Sequence, residues 1–221
     1  TMAPMPAGGP YDLAARGDTQ NIKRNVLIGD VWVCSGQSNM GYAMDRATGA
    51  KEYVQNLSTN IRLAVATAPI CSRPSKDMYL AWNTVAPGTV PAFSAVGLVF
   101  GDTLQKKLGV PIGLIQASAN ASVAEAWMPA EVLATNPALS DIIQVMDKAI
   151  EDHRARLAEW PAKFEAWHKR AQELDRAGFS VEPPPGIESK DPRPNPFRPA
   201  GMFNGIIAPL TQLPIKGVIW Y

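Results

Sequence analysis

The sequence has little of what several common classes of protein require. Its two cysteines, Cys34 and Cys71, are too few for a disulfide framework or for a zinc site with paired spacings. Lys plus Arg outnumber Asp plus Glu by only 21 to 20, so no basic field exists to hold a nucleic acid. No apolar run approaches the roughly 20 residues that a membrane span needs, and the N-terminal segment lacks the pattern of a signal peptide. With 221 residues, 46% of them apolar, the chain is expected to bury one core, or one core plus a small appendage.

Cys34 is predicted to be a small buried residue within a strand, not a catalytic thiol, because no histidine lies in the sequence around it. Whether it pairs with Cys71 is left open by the sequence.

The most informative stretch is residues 31–40, which read Val-Trp-Val-Cys-Ser-Gly-Gln-Ser-Asn-Met. An apolar strand ends there at a Gly-x-Ser turn, and a helix is predicted from Ser38 to about Thr48. Such a turn presents a hydroxyl at the carboxyl edge of a sheet, where backbone N–H groups stabilise an oxyanion. Serine is also common in turns and at helix N-caps, but the whole stretch favours a nucleophile. Met40 stands where the lipase elbow has a glycine, which disfavours an α/β-hydrolase lipase.

The rest of the pattern predicts an α/β fold with a doubly wound, mostly parallel sheet. Apolar alternation or continuous apolar character predicts strands over 61–66, 110–116 and 215–221. Helical spacing predicts helices over 51–57 and 93–108, the second ending at Gly109. Parallel sheets bind ligands at the carboxyl ends of their strands, which is where Ser38 is expected.

Residues 139–200 are predicted to be an insertion in this fold. An amphipathic helical pattern covers about 140–177, and Pro161 is expected to kink the helix or to begin a second one. This predicts an antiparallel arm or a helical hairpin. Residues 182–199 contain seven prolines and are expected to form an extended loop, before a turn and short helix over 202–210.

Residues 36–40, together with Gly-Asp-Val-Trp at 29–32, resemble the first block of the SGNH hydrolases, most closely the sialate O-acetylesterase-like carbohydrate esterases. Residues 4–11, Pro-Met-Pro-Ala-Gly-Gly-Pro-Tyr, resemble the segment that closes a small β-domain before the esterase core in that family. The resemblance implies an SGNH-type, flavodoxin-like sheet. Residues 1–25 would then be the tail of an N-terminal β-domain and linker, and 26–221 the N-terminal portion of the esterase domain.

The resemblance also implies the roles of individual residues. Ser38 would be the nucleophile and one backbone oxyanion donor. The family's second donor is a backbone N–H of a glycine pair, and Asn120 and Ala121 replace those glycines here. Asparagine tolerates a left-handed conformation best after glycine, so Asn120 is expected to donate through its backbone or its side chain. Substrate contacts are expected from four residues: Gln37, Asn39, Ala121 and Trp127.

No residue of the chain is a convincing catalytic base. His153 and His168 lie in the long amphipathic segment, where a packed or solvated histidine is the simpler interpretation. Three aspartates are candidates for the acid that orients a base, and none has a histidine at a useful spacing: Asp30, Asp45 and Asp102. In the resembled family, a strand like 216–221 runs into Gln-Gly-Glu-Ser-Asn, and a later Asp-x-x-His supplies acid and base. The chain is therefore expected to be one piece of the enzyme, completed by another segment or chain.

These features predict a serine carbohydrate O-acetylesterase that acts through an acyl-enzyme on Ser38, with no metal or organic cofactor. The resemblance implies an acetylated sugar as substrate, from sialic acid or from a glycan such as xylan or xyloglucan, and a secreted or periplasmic location. Two alternatives stay open. One is a catalytically impaired relative that only binds glycans, and the other is a subunit whose partner chain completes the site.

Overall fold

The computed structural model describes residues 5–67, 71–187 and 190–221. Contacts divide this part of the chain into two units. The first unit takes the described residues of 1–69, 73–122 and 205–221, and the second those of 70–72 and 123–204. Ser38 belongs to the first unit, and the predicted insertion at 139–200 lies inside the second.

The first unit begins with a two-stranded antiparallel hairpin formed by β1 (Gly8–Arg16) and β2 (Gln20–Ile28). Most of the hairpin is exposed. β2 spans the predicted domain boundary between residues 25 and 26.

The main sheet contains five strands: β3 (Asp30–Gly36), β4 (Ile61–Val65), β5 (Asn83–Thr84), β6 (Ile112–Ser118) and β7 (Gly217–Trp220). Their order is β5-β4-β6-β3-β7, and only the short β5 pairs antiparallel. The predicted α/β class with a mostly parallel sheet is confirmed. The parallel order β4-β6-β3-β7 differs from a flavodoxin-like sheet, in which the first strand lies between the second and third.

Five α-helices accompany these strands in the described chain: α1 (Ala50–Val54), α2 (Ala95–Leu108), α3 (Ala130–Thr135), α4 (Ser140–Arg176) and α5 (Ala208–Leu210). The predicted helix over 93–108 is confirmed, with its start two residues later. The Ser94 hydroxyl caps α2 by accepting the Gly97 N–H at 3.0 Å, and Gly109 ends it with φ of 68°. α2 packs closely on the sheet, since a Cβ on Gly97 would lie 3.0 Å from the Cys34 sulfur.

Cys34 is a free thiol at the centre of this core, with no exposed surface. Burial raises its pKa to about 12, so the thiol is protonated at neutral pH. The structure therefore supports the prediction of a buried packing residue and not a nucleophile.

The helix predicted from Ser38 to about Thr48 is wrong. Residues 38–41 form a turn, and the only helical structure among the described residues before 50 is a 3-10 turn at Met44–Arg46. The reason is tertiary pairing with residues 91–95. Met44 N–H donates to the Phe93 carbonyl at 2.9 Å, and the Tyr42 carbonyl accepts from Ala95 at 2.9 Å. These long-range bonds replace the local bonds that a helix would need.

In the second unit, α4 is one uninterrupted helix of 37 residues, so the predicted helical hairpin is wrong. Pro161 deprives the Leu157 carbonyl of its helical donor, and Leu157 is 44% exposed, so water can satisfy that group. The predicted antiparallel partner is instead the proline-rich segment. The Trp160 and Trp167 indoles donate to the carbonyls of Pro185 and Glu182, at 3.0 and 2.9 Å.

Candidate active site

The parallel pairing of β3 and β6 fixes where the predicted nucleophile lies. Gly36, at the end of β3, is opposite Ser118, at the end of β6. The pairing continues one residue further, because Ala119 N–H donates to the Gly36 carbonyl at 3.1 Å. The turn after β3 and the loop after β6 therefore leave the same edge of the sheet side by side, as the carboxyl ends of parallel strands must.

Ser38 is exposed on this edge, and two groups contact its hydroxyl. The Ser38 Oγ donates to the Gln37 Oε1 at 3.2 Å. It also accepts the backbone N–H of Ala121 at 3.4 Å. Residues 83 positions apart in sequence thus meet at one oxygen atom. The second contact is long for a hydrogen bond, and it places a donor beside the atom that would attack a substrate.

The turn that carries Ser38 is held by the carbonyl of Tyr221, the residue after β7. That carbonyl accepts from Gln37 N–H at 3.0 Å and from Met40 N–H at 3.4 Å. Gly41 N–H donates to the Gln37 carbonyl at 2.8 Å and closes the turn. Met40 is fully buried and anchors the turn to the core. Two neighbours in the sheet, β3 and β7, therefore fix the serine.

The backbone leaves two N–H groups available around Ser38. Within the described chain, the N–H groups of Ser38 and Asn39 have no hydrogen-bond acceptor. With the Ala121 N–H at 3.4 Å from the Ser38 hydroxyl, the site offers backbone donors from two separate loops. Such donors are what a tetrahedral oxyanion requires.

The left-handed conformation expected at Asn120 occurs at Ala121, whose φ is 58°. A left-handed alanine costs about 1 kcal/mol or more. The loop that holds it is a tight turn in which Ser122 Oγ donates to the Ala119 carbonyl at 2.8 Å. The Asn120 Oδ1 instead lies against Gly41, only 2.6 Å from the position of a Cβ there. Asn120 thus contacts the serine turn through its side chain, while Ala121 presents its backbone N–H.

The other predicted substrate contacts divide into two groups. Gln37, Asn39 and Ala121 are exposed around Ser38. Trp127 ends a 3-10 turn at Ala124–Trp127 in the second unit and is 8% exposed. A ring this deeply buried is better placed to anchor its own loop than to contact a substrate. Glu125 supports that loop, because its carbonyl accepts from Ala200 at 2.9 Å.

Two of the three candidate aspartates, Asp30 and Asp102, have partners away from Ser38. Asp30 begins β3, at the strand's far end from Ser38, and lies 3.8 Å from the Lys216 ammonium. Asp102 is 2% exposed and accepts from Tyr53, the Ser58 N–H and Lys106. Asp45 is exposed in its 3-10 turn. For Asp30 and Asp102 these positions exclude the role of orienting a base at Ser38.

The two histidines belong to the second unit, so the unit that contains Ser38 has none. His168 is exposed and its Nε2 lies 3.0 Å from the Gln172 amide. His153 is buried in α4. It lies near Asp191, whose pKa is lowered to about 2 by hydrogen bonds from Arg193 first, with the charge of His153 adding to the effect. Both histidines therefore interact with side chains of the second unit.

The described residues contain no group of three or more His, Cys, Asp or Glu side chains placed to hold a metal ion. None of their helices is both long and apolar enough to cross a membrane.

Comparison with known proteins shows that the sequence of this chain is similar to a group of esterases. Mouse sialate O-acetylesterase (Mus musculus) is 25% identical over 233 residues, covering 99% of this chain. Human sialate O-acetylesterase (Homo sapiens) is also 25% identical over 233 residues and 99% of the chain. The chain is similar to the sialate O-acetylesterases. The resemblance inferred from residues 29–40 is therefore confirmed, although no protein-family model matches the sequence.

A solved structure agrees with the sequence comparison. A carbohydrate acetylesterase from Xanthomonas citri matches with a TM-score of 0.66 and 26% identity over 97% of this chain. The matches cover only part of the relatives: 40% of the mouse enzyme, 36% of the human enzyme and 37% of the bacterial structure. The chain thus spans less than half of the length of the proteins it matches.

Sequence reasoning missed two parts of the site. Ala121 was expected only to contact substrate, yet its N–H is the group that faces Ser38. The signal was present, because Ala121 occupies the second position of the family's glycine pair and a glycine there indicates a left-handed backbone. The Tyr221 carbonyl left no signal in the sequence, since a backbone acceptor depends on strand order and not on residue type.

Proposed function

We propose that this chain carries the nucleophile and oxyanion-binding part of a serine carbohydrate O-acetylesterase of the SGNH type. One observation carries the proposal: the loop after β6 brings a backbone N–H to 3.4 Å from the Ser38 hydroxyl, which stands exposed at the carboxyl edge of a parallel sheet. The similarity to sialate O-acetylesterases and to a carbohydrate acetylesterase supports the substrate class.

In the proposed reaction, Ser38 Oγ attacks the carbonyl carbon of a sugar acetyl ester while a base removes its proton. The carbonyl oxygen becomes an oxyanion, and the N–H groups of Ser38 and Ala121 stabilise it. The sugar hydroxyl leaves with a proton, and the acetyl group stays on Ser38. Water then attacks this acyl-enzyme, releases acetate and restores the hydroxyl. The chemistry needs no metal or organic cofactor.

The base is proposed to come from outside residues 1–221. Gln37 Oε1 is the described hydrogen-bond acceptor for Ser38, and an amide oxygen is too weak a base to deprotonate a serine. The relatives extend well beyond the part that this chain matches. A segment of that kind, in the same chain or a partner chain, would supply the family's asparagine, aspartate and histidine.

The proposal includes a secreted or periplasmic location, because glycans such as xylan and xyloglucan are extracellular.

The structure gives no specific support to a catalytically impaired glycan-binding relative. The replaced glycines are the reason for that alternative, yet Ala121 adopts the left-handed conformation and keeps its N–H toward Ser38. Acetate release by the full-length protein decides between the two. We expect turnover of acetylated sialic acid, xylan or xyloglucan. Binding of these glycans without any release of acetate would refute the esterase.

Asn120 offers a test of which group completes the oxyanion hole. In Asn120→Ala the backbone remains and the side-chain amide is lost. If the Ala121 N–H is the second donor, kcat is expected to change by less than about threefold, because removal of a true oxyanion donor costs about 10²- to 10³-fold. The matched variant Asn56→Ala, at an exposed position of the same unit, controls for loss of an amide that does not contact Ser38. A fall of about 100-fold in kcat for Asn120→Ala alone would assign the role to the side chain.

A further inference from the structure

A second concave site lies at the opposite edge of the sheet from Ser38. It is a cavity of about 720 Å³, within the usual size range of small-molecule sites. Gly29, Arg62 and Ile112 line it, at or beside the amino ends of β3, β4 and β6. Ser38 follows the carboxyl end of β3, so the strand itself separates the two sites by about 20 Å. All of the lining belongs to the first unit.

The charged groups of the cavity carry one sign. Lys23 and Arg24 from β2 and Arg62 from β4 line it, and no acidic residue is among the described residues of the lining. Outside the cavity, the Arg24 Nε lies 3.9 Å from the Asp12 Oδ2, a weak ion pair because both side chains are well exposed. The chain as a whole has a net charge of only +1. The positive charge of the cavity is thus a local feature.

Arg62 is a fixed element of this lining. Its Nη1 donates to the carbonyls of Thr59 and Ile61 at 2.9 and 3.0 Å, and its Nη2 donates to the Asn25 Oδ1 at 2.7 Å. Partial burial lowers the pKa of the guanidinium. Since arginine stays charged throughout the physiological range, a fixed, partly desolvated cation lines the cavity, and such a cation favours an anionic ligand.

Aromatic rings form the other part of the lining. Tyr79 is 82% exposed and Trp82 is 44% exposed, although both line the cavity. The Trp82 ring edge lies against Gly113, where a Cβ would be 3.1 Å from it. Because glycine has no side chain, Gly113 leaves the space that the Trp82 indole occupies. Rings with polar tips suit ligands that present both apolar and polar faces.

We propose that this cavity is a binding site for an acidic sugar unit, which the protein holds without chemical change. The sugar carboxylate would lie toward Arg62 and Lys23, and the ring of the sugar would pack on Tyr79 and Trp82. The volume fits one or two sugar units and not an extended polyanion. The site stands apart from the proposed esterase chemistry, and its binding needs neither Ser38 nor turnover.

Titration calorimetry of the full-length protein tests this. The probes are N-acetylneuraminic acid, glucuronic acid, neutral glucose and inorganic phosphate. We expect at least one of the two acids to bind with a Kd of roughly 1 mM, and glucose and phosphate to bind at least about tenfold more weakly. The acid that binds more tightly identifies the source of the carboxylate, from sialyl or from uronic sugars.

Two variants locate the binding. Tyr79→Ala removes an exposed ring, and Lys23→Gln removes an exposed charge, so neither change is expected to disturb folding. Each is expected to weaken acid binding about threefold, whereas Lys51→Gln, at an exposed position of α1 away from the cavity, leaves it unchanged. Ser38→Ala is also expected to leave it unchanged, because the cavity lies about 20 Å from Ser38. The loss of affinity in the two cavity variants is what separates this site from the esterase site. Four results would each overturn the proposal: no acid binding, equal binding of glucose, equal binding of phosphate, or affinity unaffected by both cavity variants.

Discussion

Replacement of Ser38 by alanine in the full-length protein is expected to lower kcat for p-nitrophenyl acetate by at least about 10³-fold. Loss of a serine nucleophile removes the acyl-enzyme route entirely, and only binding and oxyanion stabilisation remain. Folding should be unaffected, because Ser38 is exposed and its hydroxyl contacts only Gln37 and the Ala121 N–H in the described chain. The measurement is the initial rate of acetate or nitrophenol release by the purified variant.

The matched control is Ser75→Ala. Ser75 is half-buried in the same unit, and its hydroxyl bonds only within its own loop, to the Asp77 carbonyl at 2.7 Å. The Ser75→Ala variant should keep full activity. Activity retained by Ser38→Ala, or lost equally in both variants, would contradict the assignment of Ser38 as the nucleophile.

Gly36→Ala is expected to have the largest effect on the architecture of the site. Gly36 has φ of 130°, which side chains rarely allow, and a Cβ there would overlap the backbone carbonyl oxygen of Tyr221. That carbonyl holds the serine turn through Gln37 and Met40. No rotamer change relieves a clash with backbone. We expect the free energy of unfolding to fall by about 2 kcal/mol or more, and kcat to fall more than tenfold because Ser38 moves away from the Ala121 N–H.

Gly88→Ala provides the comparison for this variant. Gly88 lies in the same unit, and a Cβ added to it would meet no other atom within 4 Å. Chemical denaturation should therefore give nearly the parental stability for it. If Gly36→Ala also unfolded at the parental midpoint with full activity, the account of the serine turn as a rigid, glycine-dependent element would be wrong.

The sequence predicted best those elements whose signals are local. Residues 31–36 form a buried strand because they are apolar and bounded by turn residues, and α2 ends at Gly109 because glycine accepts the left-handed conformation. The position of Ser38 at the carboxyl edge followed from the same pattern. In each case, a few neighbouring residues determine the structure.

The failures come from contacts between distant residues. The helix predicted after Ser38 gives way to hydrogen bonds with Phe93 and Ala95, which no pattern in residues 38–48 reveals. The single helix α4 continues through Pro161, because the proline-rich segment lies along its tryptophans in place of a second helix. The left-handed residue whose N–H lies beside Ser38 is likewise one position later than expected, at Ala121 and not at Asn120, because propensity alone favoured asparagine there.

The central claim is that Ser38 is an activated nucleophile, and covalent labelling tests it most directly. The full-length protein is incubated with an organophosphonate that reacts with activated serines, digested, and mapped by peptide mass. The account predicts one adduct, on the peptide that contains Ser38, with activity lost in proportion to labelling. An unlabelled Ser38 peptide in protein that still releases acetate would contradict it.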